Sequence, residues 1–342
     1  MSRFLKAAVS CTLLSLLVSG WSLASPNAAG ILRDSYAAEK KLQFAGRLTT
    51  KVVCRAGVPP SADVKIVRSG RMSKMEYLSG PSAGTSIIDD GKSMIRLVTS
   101  SRTAYVSKTP EAPEQLDLLL ANYTPVLAGS GKIAGRECYE IKLAPKCVGN
   151  PWKKLWIDKT SHLTLKTERY GSDGALVSST EYGSVDYSAR PTASQFRVPS
   201  GWKTVNLAGA PGVGLSAIQK AVGFAPIRPN YVPKGYKFDD YYLQNTPKCT
   251  PFAGLRYTNG LNTISVFERK GGCFGPGYGC GRGRGRGRGC GRGGCSSAEP
   301  GCCLLVNEPQ AKMVHTTVGD LTVIVVGDIA LTELQKMANS FR

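Results

Sequence analysis

The chain has 342 residues, 42% of them hydrophobic and 20% charged, which is the balance of a folded globular protein and excludes both a wholly disordered chain and a multi-span membrane protein. The formal net charge of +20 favours anionic partners, and two histidines leave little material for His-based metal or catalytic sites.

The first 25 residues have the layout of a secretory leader. Arg3 and Lys6 precede an uncharged stretch from Ala7 to Gly20, and Ser22-Leu23-Ala24 offers small residues for cleavage after Ala24. No later segment approaches the run of about 18 apolar residues that a membrane helix needs. An exported protein is expected, and export removes nucleic acid from the partners that the charge would otherwise suggest. Of eleven cysteines, only Cys11 lies in the leader. The remaining even number suits an oxidising compartment.

Pro26 to Lys41 reads as a helix with Asn27 as its cap and Ile31, Leu32 and Tyr36 at helical spacing. From Phe44 the period changes to two. Gly46–Cys54, Asp63–Arg68, Arg71–Leu78, Thr85–Asp89, Lys92–Thr99 and Arg102–Ser107 are predicted strands, with Asp90-Gly91 as a hairpin turn. Glu111–Tyr123 returns to helix. Strands resume at Glu137–Leu143, Lys153–Asp158, His162–Tyr170 and Ala175–Tyr187, the last two joined at Ser172-Asp173-Gly174. This order predicts an α+β fold with one large curved antiparallel sheet and helices packed on one face. Gly201–Gly214 reads as a linker and Leu215–Val222 as a short helix. Tyr236–Leu243, Gly254–Tyr257, Asn262–Arg269, Lys312–Val318 and Leu321–Val326 are strands of a smaller second unit closed by a helix at Leu331–Phe341.

The stretch Gly271–Cys303 interrupts that unit. It holds 14 glycines, six cysteines and five arginines, and Arg282, Arg284, Arg286 and Arg288 alternate with glycine before Arg292. With so little to bury it reads as a flexible loop between two strands, either a solvated low-complexity insertion or a cationic arm that lies against anionic lipid or lipopolysaccharide phosphates. Its cysteines lack zinc-ligand spacing, so disulfides are the expected use, with no pairing assigned. Cys138 and Cys147 flank a turn and are candidates for a short bridge. Gly80-Pro81-Ser82-Ala83-Gly84 matches the G-x-S-x-G hydrolase pattern, but a strand follows it where the nucleophile elbow needs a helix, so a hairpin loop is expected. No nucleotide, metal or cofactor motif is present, and no enzyme activity is expected.

Several segments resemble a known family. Gly135-Arg136-Glu137-Cys138-Tyr139-Glu140-Ile141, Leu155-Trp156-Ile157-Asp158, Leu163–Tyr170 and Asp173-Gly174 look like the late strands of the RseB/MucB amino-terminal domain, itself similar to the LolA/LolB lipoprotein carriers. Phe196–Gly201 looks like the end of a LolA-type domain. Tyr231–Tyr236, Leu255–Leu261, Ile264–Phe267 and Val325–Asp328 are similar to the RseB carboxy-terminal domain. The arm at Gly271–Cys303 and the weakly matching stretch 55–85 depart from the pattern.

The resemblance implies a LolA-like curved half-barrel with helices on its concave face at 25–205, a linker at 206–227 and a smaller α+β domain at 228–342. It implies a periplasmic regulator that binds the periplasmic part of a membrane anti-sigma factor and is released by lipoprotein or lipopolysaccharide signals. A LolA-like carrier of lipid or lipoprotein is the second reading. Alternation along the strands nominates Met75, Tyr77, Ile95, Leu97, Tyr105, Leu119 and Trp156 as lining an apolar ligand cavity. Arg256, Tyr257 and Asn259, on a hairpin expected to be exposed, are the candidate partner contacts.

Overall fold

The computed structural model describes residues 27–53, 61–108, 116–206, 214–246, 249–271 and 311–342. The segment expected to be a leader, Cys54 and the arginines of the Gly/Arg/Cys-rich stretch (Arg282, Arg284, Arg286, Arg288 and Arg292) lie outside the described residues.

Helix α1 (Ala28–Glu39) starts where Asn27 accepts the Ala29 amide proton on its side-chain oxygen at 3.0 Å. It buries Ile31, Leu32 and Ser35 against the sheet that follows. Strands β1 (Gln43–Val52), β2 (Ser61–Ser69), β3 (Met72–Tyr77), β4 (Thr85–Asp89), β5 (Ser93–Val98) and β6 (Thr103–Lys108) form an antiparallel meander. Its turns are set by local chemistry. At the β4–β5 hairpin the Asp89 carboxylate accepts from Gly91 N at 2.9 Å, and the Asp90 carboxylate accepts from Lys92 N and Ser93 N. The Gly80–Gly84 segment is an exposed turn between β3 and β4, and a strand follows it.

Helix α2 (Leu116–Asn122) runs without a loop into β7 (Tyr123–Ile133). The second half of the sheet is β7, β8 (Arg136–Pro145), β9 (Trp152–Asp158), β10 (Thr164–Tyr170) and β11 (Leu176–Asp186). β11 pairs with β1, and β12 (Lys203–Asn206) adds to β6 in parallel. The result is one twelve-stranded curved sheet, ordered β12-β6-β5-β4-β3-β2-β1-β11-β10-β9-β8-β7. Two elements differ from expectation. β7 is a full edge strand whose Pro, Ala, Gly and Ser residues carry no alternation, and β12 occupies the start of the expected linker.

Helix α3 (Leu215–Val222) leads to a five-stranded sheet ordered β13-β14-β15-β17-β16. Its strands are β13 (Lys237–Thr246), β14 (Cys249–Thr258), β15 (Thr263–Lys270), β16 (Lys312–Val318) and β17 (Leu321–Gly327), followed by α4 (Leu331–Ala338). Leu255, Tyr257, Ile264, Val266, Val323 and Val325 pack with Leu334, Met337 and Phe341 in its core. Among the described residues no helix is long and apolar enough to cross a membrane.

Candidate functional site

Strand pairing decides where the nominated cavity residues point. Met75, Ile87, Arg96 and Tyr105 stand directly opposite one another across β3 to β6 and so share one face. Val64 and Ile66 on β2 pair with Tyr77 and Met75 and extend that face. Its continuation across β8 and β9 carries Ile141, Leu143, Leu155 and Ile157, which pack with Ile31 and Leu32 of α1 and Leu119 of α2. The helices therefore cover one end of this face, while Met75, Tyr77 and Tyr105 at the other end stay half-buried. The Arg96 guanidinium lies 4.9 Å from the Tyr105 ring centroid, placing a cation among these apolar groups.

The seven nominated residues do not converge on one cavity. Ile95 and Leu97 alternate with Arg96, face the other way, and are buried with Ile88, Ala104 and Phe196. Leu119 is fully buried beneath α2. Trp156 belongs to the core cluster against which Met75 and Tyr77 pack, and Lys154 and Lys166 lie 5.4 and 4.7 Å from its ring centroid. The strands that carry these residues do alternate, but period two does not reveal which of the two faces meets a given helix. One shallow hollow of about 230 Å³ lies elsewhere, on β1 and β11, lined by Thr49, Lys51, Ser179, Glu181, Tyr182 and Gly183.

The expected partner-contact hairpin is not exposed. Tyr257 is 2% exposed and Asn259 1%. Tyr257 fills the core of the five-stranded sheet, and Arg256 is half-buried and paired with Asp239. The turn from β14 to β15 is instead plugged into the first sheet. Asn259 donates from its side-chain amide to the Tyr123 hydroxyl at 3.0 Å, and Leu261 packs into the α1–α2 core. The Asn122 amide reaches the carbonyls of Gly235 at 2.9 Å and Asn259 at 3.1 Å. A second set of contacts joins the Lys312 ammonium to the Ser172 hydroxyl at 2.7 Å, and Ala330 N to the Gly149 carbonyl at 3.1 Å. Nothing in the sequence signals this joint, because its partners lie more than a hundred residues apart.

The expected Cys138–Cys147 bridge is absent, and both are free thiols. Cys138 sits on β8 opposite Asp158 of β9, buried with Ile133 and Trp156, whereas Cys147 lies beyond the strand's far end. Burial pushes the Cys138 thiol up to about 11. Next to it, the Asp158 carboxylate accepts from Arg136, from the Ser161 hydroxyl at 2.6 Å and from Thr160 N at 3.0 Å. Burial opposes its ionisation, but these donors outweigh burial and hold the carboxyl below its usual value. The cluster braces the β9–β10 turn. No grouping of His, Cys, Asp and Glu suited to a metal occurs among the described residues.

Comparison with known proteins agrees with this architecture. The family model described as the MucB/RseB N-terminal domain matches residues 28–200. The sigma factor AlgU regulatory protein MucB of Pseudomonas aeruginosa is 24% identical over 217 residues, which cover 63% of this chain and 59% of that relative. The matched part thus spans less than two thirds of the relative's length. The crystal structure of MucB in complex with MucA(peri) superposes with a TM-score of 0.60 at 18% identity, covering 92% of this chain and 98% of that one. The Pseudomonas aeruginosa MucA/MucB complex gives a TM-score of 0.61 at 17% identity, with the same coverage. These likenesses extend the shared fold over both sheets, and the match over residues 28–200 shows that the chain belongs to the MucB/RseB family.

Proposed function

We propose that this protein is an exported, periplasmic binding regulator, without enzymatic activity, that holds the periplasmic part of a membrane anti-sigma factor. What carries the reading is the family match over residues 28–200 together with a MucB-like fold that continues through the second sheet. The solved relatives include MucB bound to MucA, and the similar sigma-factor regulatory protein points the same way. Two domains, 25–205 and 228–342, joined through 206–227, are the units of this reading.

The half-buried end of the helix-bearing face is the candidate ligand site. Met75, Tyr77, Ile87 and Tyr105 offer apolar contact, and Arg96 offers a cation for the acidic head of an acylated ligand. A lipoprotein acyl chain or lipopolysaccharide that binds the free regulator better than the complexed one shifts the equilibrium toward release.

The test is calorimetric titration of the purified full chain with the periplasmic segment of the single-span anti-sigma factor encoded beside a sigma factor in the same genome. Saturable binding that lipopolysaccharide reverses is expected, with Arg96→Ala less sensitive to lipopolysaccharide. A chain that folds yet binds no such segment overturns the reading.

A further inference from the structure

We propose that α2 and the β14–β15 turn form a latch that fixes the two sheets in one orientation, and that α2 transmits movement on the first sheet to the second. This goes beyond the binding function and does not depend on which partner is held.

Helix α2 is squeezed from two sides. On one side Leu119 is fully buried among Ile141, Leu155 and Ile157 of the first sheet. On the other, the turn of the second sheet lies against its backbone with no gap. A Cβ at Gly260 would stand 2.4 Å from the Leu119 nitrogen and 2.7 Å from its Cα, so only glycine permits the approach. Asn122, the last residue of the helix, shares its amide among the carbonyls of Leu118, Gly235 and Asn259. One side chain thus ties the end of α2 to two separate segments of the second unit.

The next residue, Tyr123, accepts from Asn259 and donates to the Pro151 carbonyl at 3.0 Å. All these groups are buried or half-buried, so separating the units leaves polar groups to be rehydrated together. Two turns of helix are too short to stand alone, so α2 keeps its shape only while packed. Loosening it on the sheet side therefore loosens the turn.

The experiment compares the full chain with Gly260→Ala, Leu119→Ala and a control, Gly135→Ala. Gly135 has the same left-handed backbone, φ +76° against +89°, but open space around its Cβ position. Calorimetric unfolding and amide exchange at residues 259–262 are the readouts. The unaltered chain should unfold in one transition. Gly260→Ala should split it into two and raise exchange at 259–262 by about tenfold or more, the factor that a 1.4 kcal/mol loss of local stability produces. Leu119→Ala should raise exchange there as well, while Gly135→Ala should not. If Gly260→Ala does not fold, Asn122→Ala replaces it, removing the shared amide without a clash. Two transitions in the unaltered chain, unchanged exchange in the latch variants, or an equal effect of Gly135→Ala would overturn the latch. Exchange unchanged in Leu119→Ala alone would overturn the transmission. None of these readouts involves a partner, so failure here is distinct from failure of the proposed function.

Discussion

Asn259 and Tyr123 lie 136 residues apart in sequence and meet at 3.0 Å, both buried, where the turn of one sheet enters the other. The tyrosine hydroxyl is donor and acceptor at once, since it passes its own proton to the Pro151 carbonyl. Removing it leaves the Asn259 amide and the Pro151 carbonyl short of a partner while keeping the ring. Tyr123→Phe should therefore cost about 1–3 kcal/mol, the range for buried polar groups left unsatisfied. Chemical denaturation of the two proteins side by side checks this, and equal midpoints would remove the joint's energetic role.

Glu268 on β15 is buried in the second unit. One carboxyl oxygen accepts from Ile227 N at 3.0 Å, and the other has no partner. Burial pushes its pKa up from 4.5 to about 8, and the Ile227 amide only partly offsets this. The folded chain therefore holds a proton that the unfolded chain releases, so Glu268 lowers stability as pH rises from about 4.5 to about 8. Glu268→Gln should flatten that slope and be the more stable protein at pH 8. Melting curves at pH 5 and pH 8 decide it, and parallel pH profiles would contradict the assignment.

Asp158 works in the opposite direction. Its folded carboxyl is held below the ordinary 3.8, so its contribution is present above that value and disappears as pH falls through the folded one. Asp158→Asn should cost about 1–3 kcal/mol at neutral pH, less than the loss from a fully buried pair because Arg136 is partly exposed. The variant should also lose less stability than the parent on acidification below pH 3.8. Acid titration followed by circular dichroism reads both effects.

The two described free thiols should differ in reactivity. Cys138 is fully buried with its thiol pushed up to about 11, so little thiolate forms at neutral pH. Cys147 is partly exposed. Iodoacetamide labelling of the reduced, folded protein, followed by peptide mass spectrometry, should modify Cys147 and spare Cys138 until denaturant is added. A native Cys138–Cys147 disulfide found in unreduced protein would overturn the separation of these residues.

Local chemistry alone was enough for much of this fold. Asn27 caps α1, Asp90-Gly91 and Asp173-Gly174 turn hairpins, and the strands rich in β-branched residues stand close to where their alternation puts them. These signals span a few residues and need no knowledge of what packs above. β7 escaped because it is held by its place at the sheet edge beside β8, and its Thr-Pro-Val-Leu-Ala-Gly-Ser-Gly sequence has no period to read. β12 escaped because four residues gain their strand character from pairing with β6.

The site was less legible. The sequence by itself determined that Arg96 alternates with Ile95 and Leu97, and that Tyr257 and Asn259 lie next to a turn. Only the tertiary structure decided that Ile95 and Leu97 meet Phe196 while Arg96 meets Tyr105, because α1, α2 and the segment near Phe196 cover opposite faces of one sheet. It also decided that the β14–β15 turn is a plug. A turn with Asn and Gly at its tip reads as exposed, since such residues usually face water. Here the same two residues are what the joint requires. Asn259 satisfies a buried hydroxyl from across the chain, and Gly260 leaves room for the backbone of α2.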